Sequence, residues 1–419
     1  MKISLNTPVR KRLVLGLGLV LVIVYAGQAT RLFAAAWLGS RVTPRSLRMA
    51  AWLDPGDADY RNHLGRYYDL VARDPGAAAG YYQAAVQLNP HSARYWFDLA
   101  SAYQVLGDTT NQTAALEHAI QADAMTPDVA WEAANLYLVR GENEKALREF
   151  GVVLANDASL ATAAIQFCWH IDPNVDELLA NVVPHTAEAN LALLNLLETK
   201  NETAGTAKAW DGLMATRQPF DVRQVFDYVK FLVLHKDVDQ AVRVWQQSAP
   251  RFGLTSYLPS SNNLIVNGNF DLEVLNNGFD WQYQKQFGVG LTLDPREFHS
   301  GRRSFMISFD GPGISDAGVY QFVAVQPGTA YNFSAFYKTN GDQEGAGAPH
   351  ITIQDMYTQA VYYDSDELKE AGYWKSVEGE FTTSPDCKLV VLHVRRLPAG
   401  SPIRGKLWID DFHLTRKSS

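Results

Sequence analysis

The sequence predicts a three-part chain: an apolar N-terminal helix, an all-α helical repeat solenoid, and a C-terminal all-β sandwich. Three observations carry this prediction. A stretch without charge follows Arg10-Lys11-Arg12. Residues 41–250 show helical periodicity that recurs every 34 residues. Beyond residue 264 the chain turns to short alternating runs punctuated by turn residues. A length of 419 residues suits several domains. The 47% hydrophobic and 20% charged content excludes a mainly disordered or collagen-like chain. Two cysteines, Cys168 and Cys387, cannot build a disulfide framework or a four-thiolate zinc site. The net charge of −8 argues against nucleic acid as a partner.

Charge is unevenly spread. Residues 1–48 carry Lys2, Arg10, Lys11, Arg12, Arg31, Arg41, Arg45 and Arg48 and no acid, so the rest is strongly acidic. A membrane span needs about 20 apolar residues. Leu13–Phe33 reaches that length only by carrying Gln28, Thr30 and Arg31 at its outer end, where Arg31 can snorkel. The expectation is a single-pass anchor in a bacterial inner membrane, residues 1–40, with the body in the periplasm or outside the cell. The alternative is a signal peptide cut near Gly27-Gln28-Ala29, which releases a secreted body. Both keep the 10–12 cluster on the cytoplasmic side, and Arg31–Arg48 on the far side weakens that orientation.

The helical region repeats in register. Tyr82, Leu116 and Phe150 are each 34 apart, as are Ala85, Ala119 and Val153. Gly107 and Gly141 keep the same spacing, and so do Tyr103 and Tyr137. With Leu64-Gly65, Tyr68, Ala78, Pro90, Trp96, Leu99, Ala100 and Ala146 in phase, the region resembles the tetratricopeptide repeat family. Small residues let paired helices approach, large ones fill the gap between repeats, and Gly permits the left-handed turn. Leu47, Ala50 and Pro55 form a half-repeat upstream. Downstream the phase decays, with second helices expected at 174–183, 206–213 and 239–248 and about six helical pairs in all. The resemblance implies an unidentified protein or peptide partner in the solenoid groove. Tyr67, Asn135 and Arg140 are groove candidates, although each is more simply solvated surface. Cys168 and His170 in one apolar helix read as packing rather than as nucleophile and base.

Pro250 to Asn263 marks a linker, placed at 251–263, and the last domain is placed at 264–419. Alternating runs at 290–293, 304–309, 319–325, 331–338, 350–355, 374–381, 388–394 and 406–414 predict a sandwich or barrel. Turn signals lie at Gly311-Pro312-Gly313, Pro327-Gly328 and Asn340-Gly341. Four blocks stand out: residues 263–271 (Asn-Leu-Ile-Val-Asn-Gly-Asn-Phe-Asp), His299-Ser300-Gly301, Tyr320-Gln321-Phe322, and Trp408-Ile409-Asp410-Asp411-Phe412. With Trp281 and Trp374, these resemble jelly-roll carbohydrate-binding modules of the family four/nine type, and more broadly galactose-binding-like domains.

That resemblance implies a glycan partner, a polysaccharide or oligosaccharide. It also implies one structural calcium ion between the opening loop and the final strand. By match, Asp271 and Asp411 would be its ligands, with Asp271 standing where the family usually has Glu. Sugar sites pair aromatic platforms with a few amides or carboxylates. The candidates are Trp374, Tyr337, Tyr283, Tyr357 and Tyr362, with Gln321 and Gln354 as polar partners. Trp281, Trp408 and Phe412 read as core.

The sequence has no phosphate-binding loop, His-Glu-x-x-His, Gly-x-Ser-x-Gly or dinucleotide fingerprint. The expectation is a non-catalytic envelope scaffold that holds a protein through its solenoid and a glycan through its sandwich, in exopolysaccharide or surface-polysaccharide assembly. The alternatives are a pure protein–protein scaffold and a glycan hydrolase.

Overall fold

A computed structural model describes residues 8–311, 316–340, 347–396 and 402–417. The turn signals at Pro312, Gly313 and Gly341 lie outside these residues. The chain divides into two compact units, one ending at Gln218 and one beginning at Pro219.

The first unit is helical. It runs α1 (Pro8–Gly39), α2 (Pro44–Leu53), α3 (Ala58–Leu70), α4 (Pro75–Leu88), α5 (Ala93–Leu106), α6 (Thr109–Ala122), α7 (Pro127–Val139) and α8 (Asn143–Asn156). Then follow α9 (Ala161–Ile171), α10 (Val175–Asn181), α11 (Ala187–Lys200) and α12 (Thr203–Thr216). The expected anchor, 13–33, lies inside α1 and is exposed throughout. The end of α1 is different. Ala35 is buried with Leu47, Ala50, Tyr60 and Leu64, so α1 completes the upstream half-repeat.

The repeat physics is visible residue by residue. Tyr82, Leu116 and Phe150 stand on α4, α6 and α8 and are buried, as are Ala85, Ala119 and Val153. A Cβ on Gly65 of α3 would lie 2.5 Å from the Tyr82 ring, so glycine is what lets α3 and α4 close. Gly107 and Gly141 take left-handed φ values of 74° and 73° after α5 and α7. Asp74 caps α4 by accepting from the Ala77 amide, with Pro75 opening the helix. After α8 the pairing becomes irregular: α9 packs on α8 and α11, and α10 packs on α12.

The second unit opens with the last helical pair, α13 (Val222–Leu234) and α14 (Val238–Ser248). Among the described residues ten strands follow: β1 (Trp281–Tyr283), β2 (Val289–Asp294), β3 (Ser304–Gly311), β4 (Asp316–Ala324), β5 (Ala330–Thr339), β6 (Pro349–Asp355), β7 (Val361–Asp364), β8 (Lys375–Thr382), β9 (Leu389–Arg396) and β10 (Ile403–Arg416). They form two antiparallel five-stranded sheets. The front sheet has the order β1-β4-β9-β6-β7, and the back sheet β2-β3-β10-β5-β8. The inward faces bury Phe270, Trp281, Phe305, Phe333 and Phe412 between them. Trp408 is buried, as expected of a core residue. It lies outside this inter-sheet cluster, and its indole donates to Asp294 Oδ2 at 2.9 Å.

The helical pair is bonded to the sandwich. Trp245 of α14 donates from Nε1 to the Tyr257 carbonyl at 3.0 Å and meets Phe279 edge-on. The Tyr357 hydroxyl donates to the Val233 carbonyl at 2.8 Å, and Lys388 pairs with Asp239 at 2.6 Å. Residues 251–263, expected as a linker, include buried Tyr257, whose hydroxyl donates to the Glu273 carbonyl at 2.8 Å. The unit boundary falls at 218/219, ahead of that segment.

Gly278 sits at φ 61°, and a Cβ there would lie 2.3 Å from the Trp245 ring. Both strain and overpacking therefore act at this position. Gly278→Ala is expected to cost about 2–4 kcal/mol in chemical denaturation followed by Trp fluorescence. Wild-type stability in that variant would show that the docking of α14 tolerates a side chain.

Candidate functional site

Successive side chains of a strand point to opposite faces. On β4, Val319, Gln321 and Val323 are buried, and Tyr320 and Phe322 stand on the outer face of the front sheet. Pairing then fixes their neighbours. Tyr320 lies opposite Gln282 of β1 and His393 of β9, and His393 lies opposite Thr352 of β6. Phe322 lies opposite Val391, which lies opposite Gln354. The result is an open cleft of about 370 Å³ on the front sheet.

Its floor is aromatic. Tyr320 and Phe322 meet edge-on at 5.4 Å, and Tyr320 lies 5.9 Å from the His393 ring. The Tyr320 hydroxyl donates to Gln282 Oε1 at 3.1 Å. Gln284, Gln286, Gln354 and Gln359 bring amides to the walls, and Asp316 and Arg395 bring charge. Gln354 is held on both sides: it donates to Gln359 Oε1 and accepts from Arg395 Nη1, each at 2.8 Å. Burial pushes the His393 imidazole down to about 4, Arg395 adds to the effect and Asp316 opposes it. Its Nδ1 is 3.7 Å from Asp316 Oδ2, beyond hydrogen-bond reach. A cleft with flat apolar rings below and uncharged donors and acceptors around it suits a sugar chain, whose C–H faces stack and whose hydroxyls bond.

Of the residues expected to bind sugar, Gln354 lines this cleft. Gln321 is buried and holds the opening loop: its Nε2 donates to the Val266 carbonyl at 2.8 Å, and its Oε1 accepts from the Val266 amide. Tyr337 is buried in the inter-sheet core. Tyr357 faces α13, and Lys236 lies 5.5 Å from its ring. Tyr362 bonds Ser384 and stacks on Phe381. Tyr283 is exposed on edge strand β1 beside the cleft. Trp374 meets His299 edge-on, and His299 stacks on Phe336 of the back sheet at 3.6 Å. The structure therefore does not bring these seven residues to one place. Tyr320, Phe322, His393 and Arg395 were missed. The signal for the first two was the alternation itself, because Tyr-Gln-Phe inside a strand puts the two rings together on the face opposite the Gln.

Asp271 and Asp411 flank the 299–302 turn. Asp271 Oδ1 accepts from the Arg302 amide at 2.7 Å and Oδ2 from Asn269 at 3.0 Å. Asp411 faces the His299 and His413 rings at 3.2 and 3.0 Å. Among the described residues no three His, Cys, Asp or Glu side chains group to hold a metal ion. Asp410 also organises this junction. It is buried, accepts from the His299 and Ser300 amides, and burial pushes it up to about 6.

In the solenoid, polar pairs bridge the first helices of successive repeats. Asn62 donates to Asp98 Oδ2 at 2.7 Å, and the Tyr95 hydroxyl donates to Asp59. Burial raises Asp98, with Arg66 and Arg94 opposing, and burial also raises Glu132. Asn135 donates to the Trp131 carbonyl of its own helix, and Arg140 binds Thr113 and Glu142. Tyr67 meets Tyr68 edge-on. Burial pushes the Cys168 thiol up to about 12 and Cys387 to about 11, which favours the protonated, unreactive thiol at both positions.

The described residues thus form a helical repeat region and a two-sheet sandwich with an aromatic cleft on its front face. The family model described as a carbohydrate binding domain matches residues 262–398. A comparison with curated proteins finds no match. Among solved structures, one described as CBM4 is 16% identical, with 36% of this chain and 99% of that chain covered and a TM-score of 0.28. The CBM22-1 xylan-binding domain of Paenibacillus barcinonensis Xyn10C is 14% identical, with 38% and 99% covered and a TM-score of 0.27. Pseudomonas aeruginosa pilF is 16% identical, with 54% and 94% covered and a TM-score of 0.27.

Because His393 is neutral well below the usual imidazole range of about 6.5, its ring resonances should not titrate between pH 5.5 and 7.5. Carbon–proton NMR checks this. A midpoint near 6.5 would mean that the ring is open to solvent.

Proposed function

We propose that this chain is a non-catalytic, membrane-anchored scaffold. Its sandwich binds a glycan in the front-sheet cleft, and its solenoid holds a protein partner. The observation that carries the first half is the Tyr320–Phe322 floor ringed by four glutamine amides, inside the residues that match a carbohydrate binding domain. The second half is supported by in-phase helical repeats whose first helices carry polar side chains at matching places, Asn62 bonded to Asp98 and then Glu132, whose carboxyl partial burial raises. Holding both ligands on one chain raises their mutual concentration without any chemistry. A role in exopolysaccharide or surface-polysaccharide assembly follows from that tethering. The anchor is α1: an 18-residue apolar window, none of it buried, fits a membrane core. The body then works on the non-cytoplasmic side.

Affinity gel electrophoresis through neutral and acidic polysaccharides tests the glycan site. The wild type should be retarded in at least one gel, and Tyr320→Ala/Phe322→Ala should weaken binding about tenfold or more with an unchanged melting curve, since stacked rings carry sugar affinity. Equal mobility in every polysaccharide would leave a protein–protein scaffold. For the anchor, the full chain should stay in the membrane pellet after alkaline extraction. A soluble product starting near residue 29 would establish cleavage instead.

A further inference from the structure

The cleft floor continues past β1. A second cavity of about 310 Å³ opens beside the first, and the two share Gln284, Tyr320 and Phe322 in their walls. The far wall of the second cavity is helix: Lys230, Val233 and Leu234 of α13. That helix is fixed in place by the Tyr357 bond to the Val233 carbonyl, by the Lys388–Asp239 pair and by Trp245 seated over Gly278. The last helical pair therefore shapes the same concave surface as the sandwich.

We infer that α13 belongs to the glycan site, and that the joined cleft takes a carboxylate-bearing polysaccharide, a polyuronate, with Lys230 and Arg395 as its cationic contacts. This rests on the glycan reading above and adds its substrate class. The chain as a whole carries −8, yet the walls of the joined cleft hold two cations, Lys230 and Arg395, against one carboxylate, Asp316. The buried imidazole of His393 adds no charge near neutrality. Arg395 is held by its Nη1 bond to Gln354, which orients a planar fork suited to a carboxylate. Lys230 is exposed at the rim, where a cation attracts a polyanion and costs little to desolvate. A neutral sugar chain can hydrogen-bond these donors but gains no charge pairing from them.

The test uses the full chain and three immobilised polymers: polygalacturonate, the same polymer after carboxyl reduction, and a neutral β-glucan. Retardation should be strongest in polygalacturonate, should fall after carboxyl reduction, and should weaken as salt is raised from 50 to 500 mM. Lys230→Gln should lower polygalacturonate affinity about three- to fivefold, the size of one exposed charge contact, with an unchanged melting curve. Equal binding to the acidic and reduced polymers, lost in Tyr320→Ala/Phe322→Ala, would overturn the acidic substrate and leave the glycan site standing. Wild-type polygalacturonate affinity in Lys230→Gln would remove α13 from the site. No retardation in any polymer would overturn both readings.

Discussion

The front-sheet cleft depends on one constraint: a strand that buries one face must put every second residue on the other. On β4 the inward set is Val319, Gln321 and Val323, so Tyr320 and Phe322 have no choice but to face out. Gln321 is the costly member of the inward set, because a buried amide needs partners. It finds them in the two backbone groups of Val266, which ties the opening loop to the sheet. A one-residue slip of β4 would expose that amide, bury both rings and lose the cleft. The same bonds that close the fold therefore set the register of the site.

A second constraint acts at Trp245. A side chain this large, on the last helix, is accommodated because Gly278 has no Cβ and takes a left-handed φ. Its indole is satisfied by the Tyr257 carbonyl, inside the segment that joins helix to sandwich. In repeat logic Trp245 is the large residue that fills the gap to the next repeat. Here the next layer is the sandwich, with Phe279 as the facing ring. The solenoid pattern is thus reused to dock a β domain, and this is why the compact unit begins at Pro219 and not at the Pro/Ser/Asn-rich segment.

Much of the fold was legible because it follows from periods. The 34-residue spacing located Tyr82, Leu116 and Phe150, and all three are core. Eight alternating runs located eight of the ten strands. β1 and β7 escaped because three and four residues are too short to show a period. The site was less legible. Composition identified aromatics and amides but not their faces, so Tyr337, Tyr357 and Tyr362 were chosen although each ring is committed to packing or a hydrogen bond within the second unit. Choosing Gln321 over Tyr320 and Phe322 was an error of face within a correctly placed strand. Trp408 shows the converse, a buried Trp on an outer face, made possible by the Asp294 carboxylate that accepts its N–H. The Arg395 and His393 positions depend on cross-strand register, which no single-strand pattern contains.

The adjacent pair Asp410 and Asp411 shows how the same residue type divides its work. Asp410 is buried on the face of β10 that also carries Trp408, opposite Phe336 and under the 299–300 turn, where burial favours its neutral form and three backbone amides oppose that by bonding its carboxylate. Asp411 takes a left-handed φ of 55° at the point where the β10–β5 register shifts, and so turns outward to two histidines. Both carboxylates thus meet the 299–300 turn, Asp410 through its backbone amides and Asp411 through the His299 ring. A carboxylate bonded by several backbone amides is a structural clamp: it fixes the 299–300 turn against the final strand. The sandwich thereby joins its last strand to an early turn through hydrogen bonds to the peptide backbone, and its outer front face is left free for the chemistry of rings, amides and a few well-placed charges.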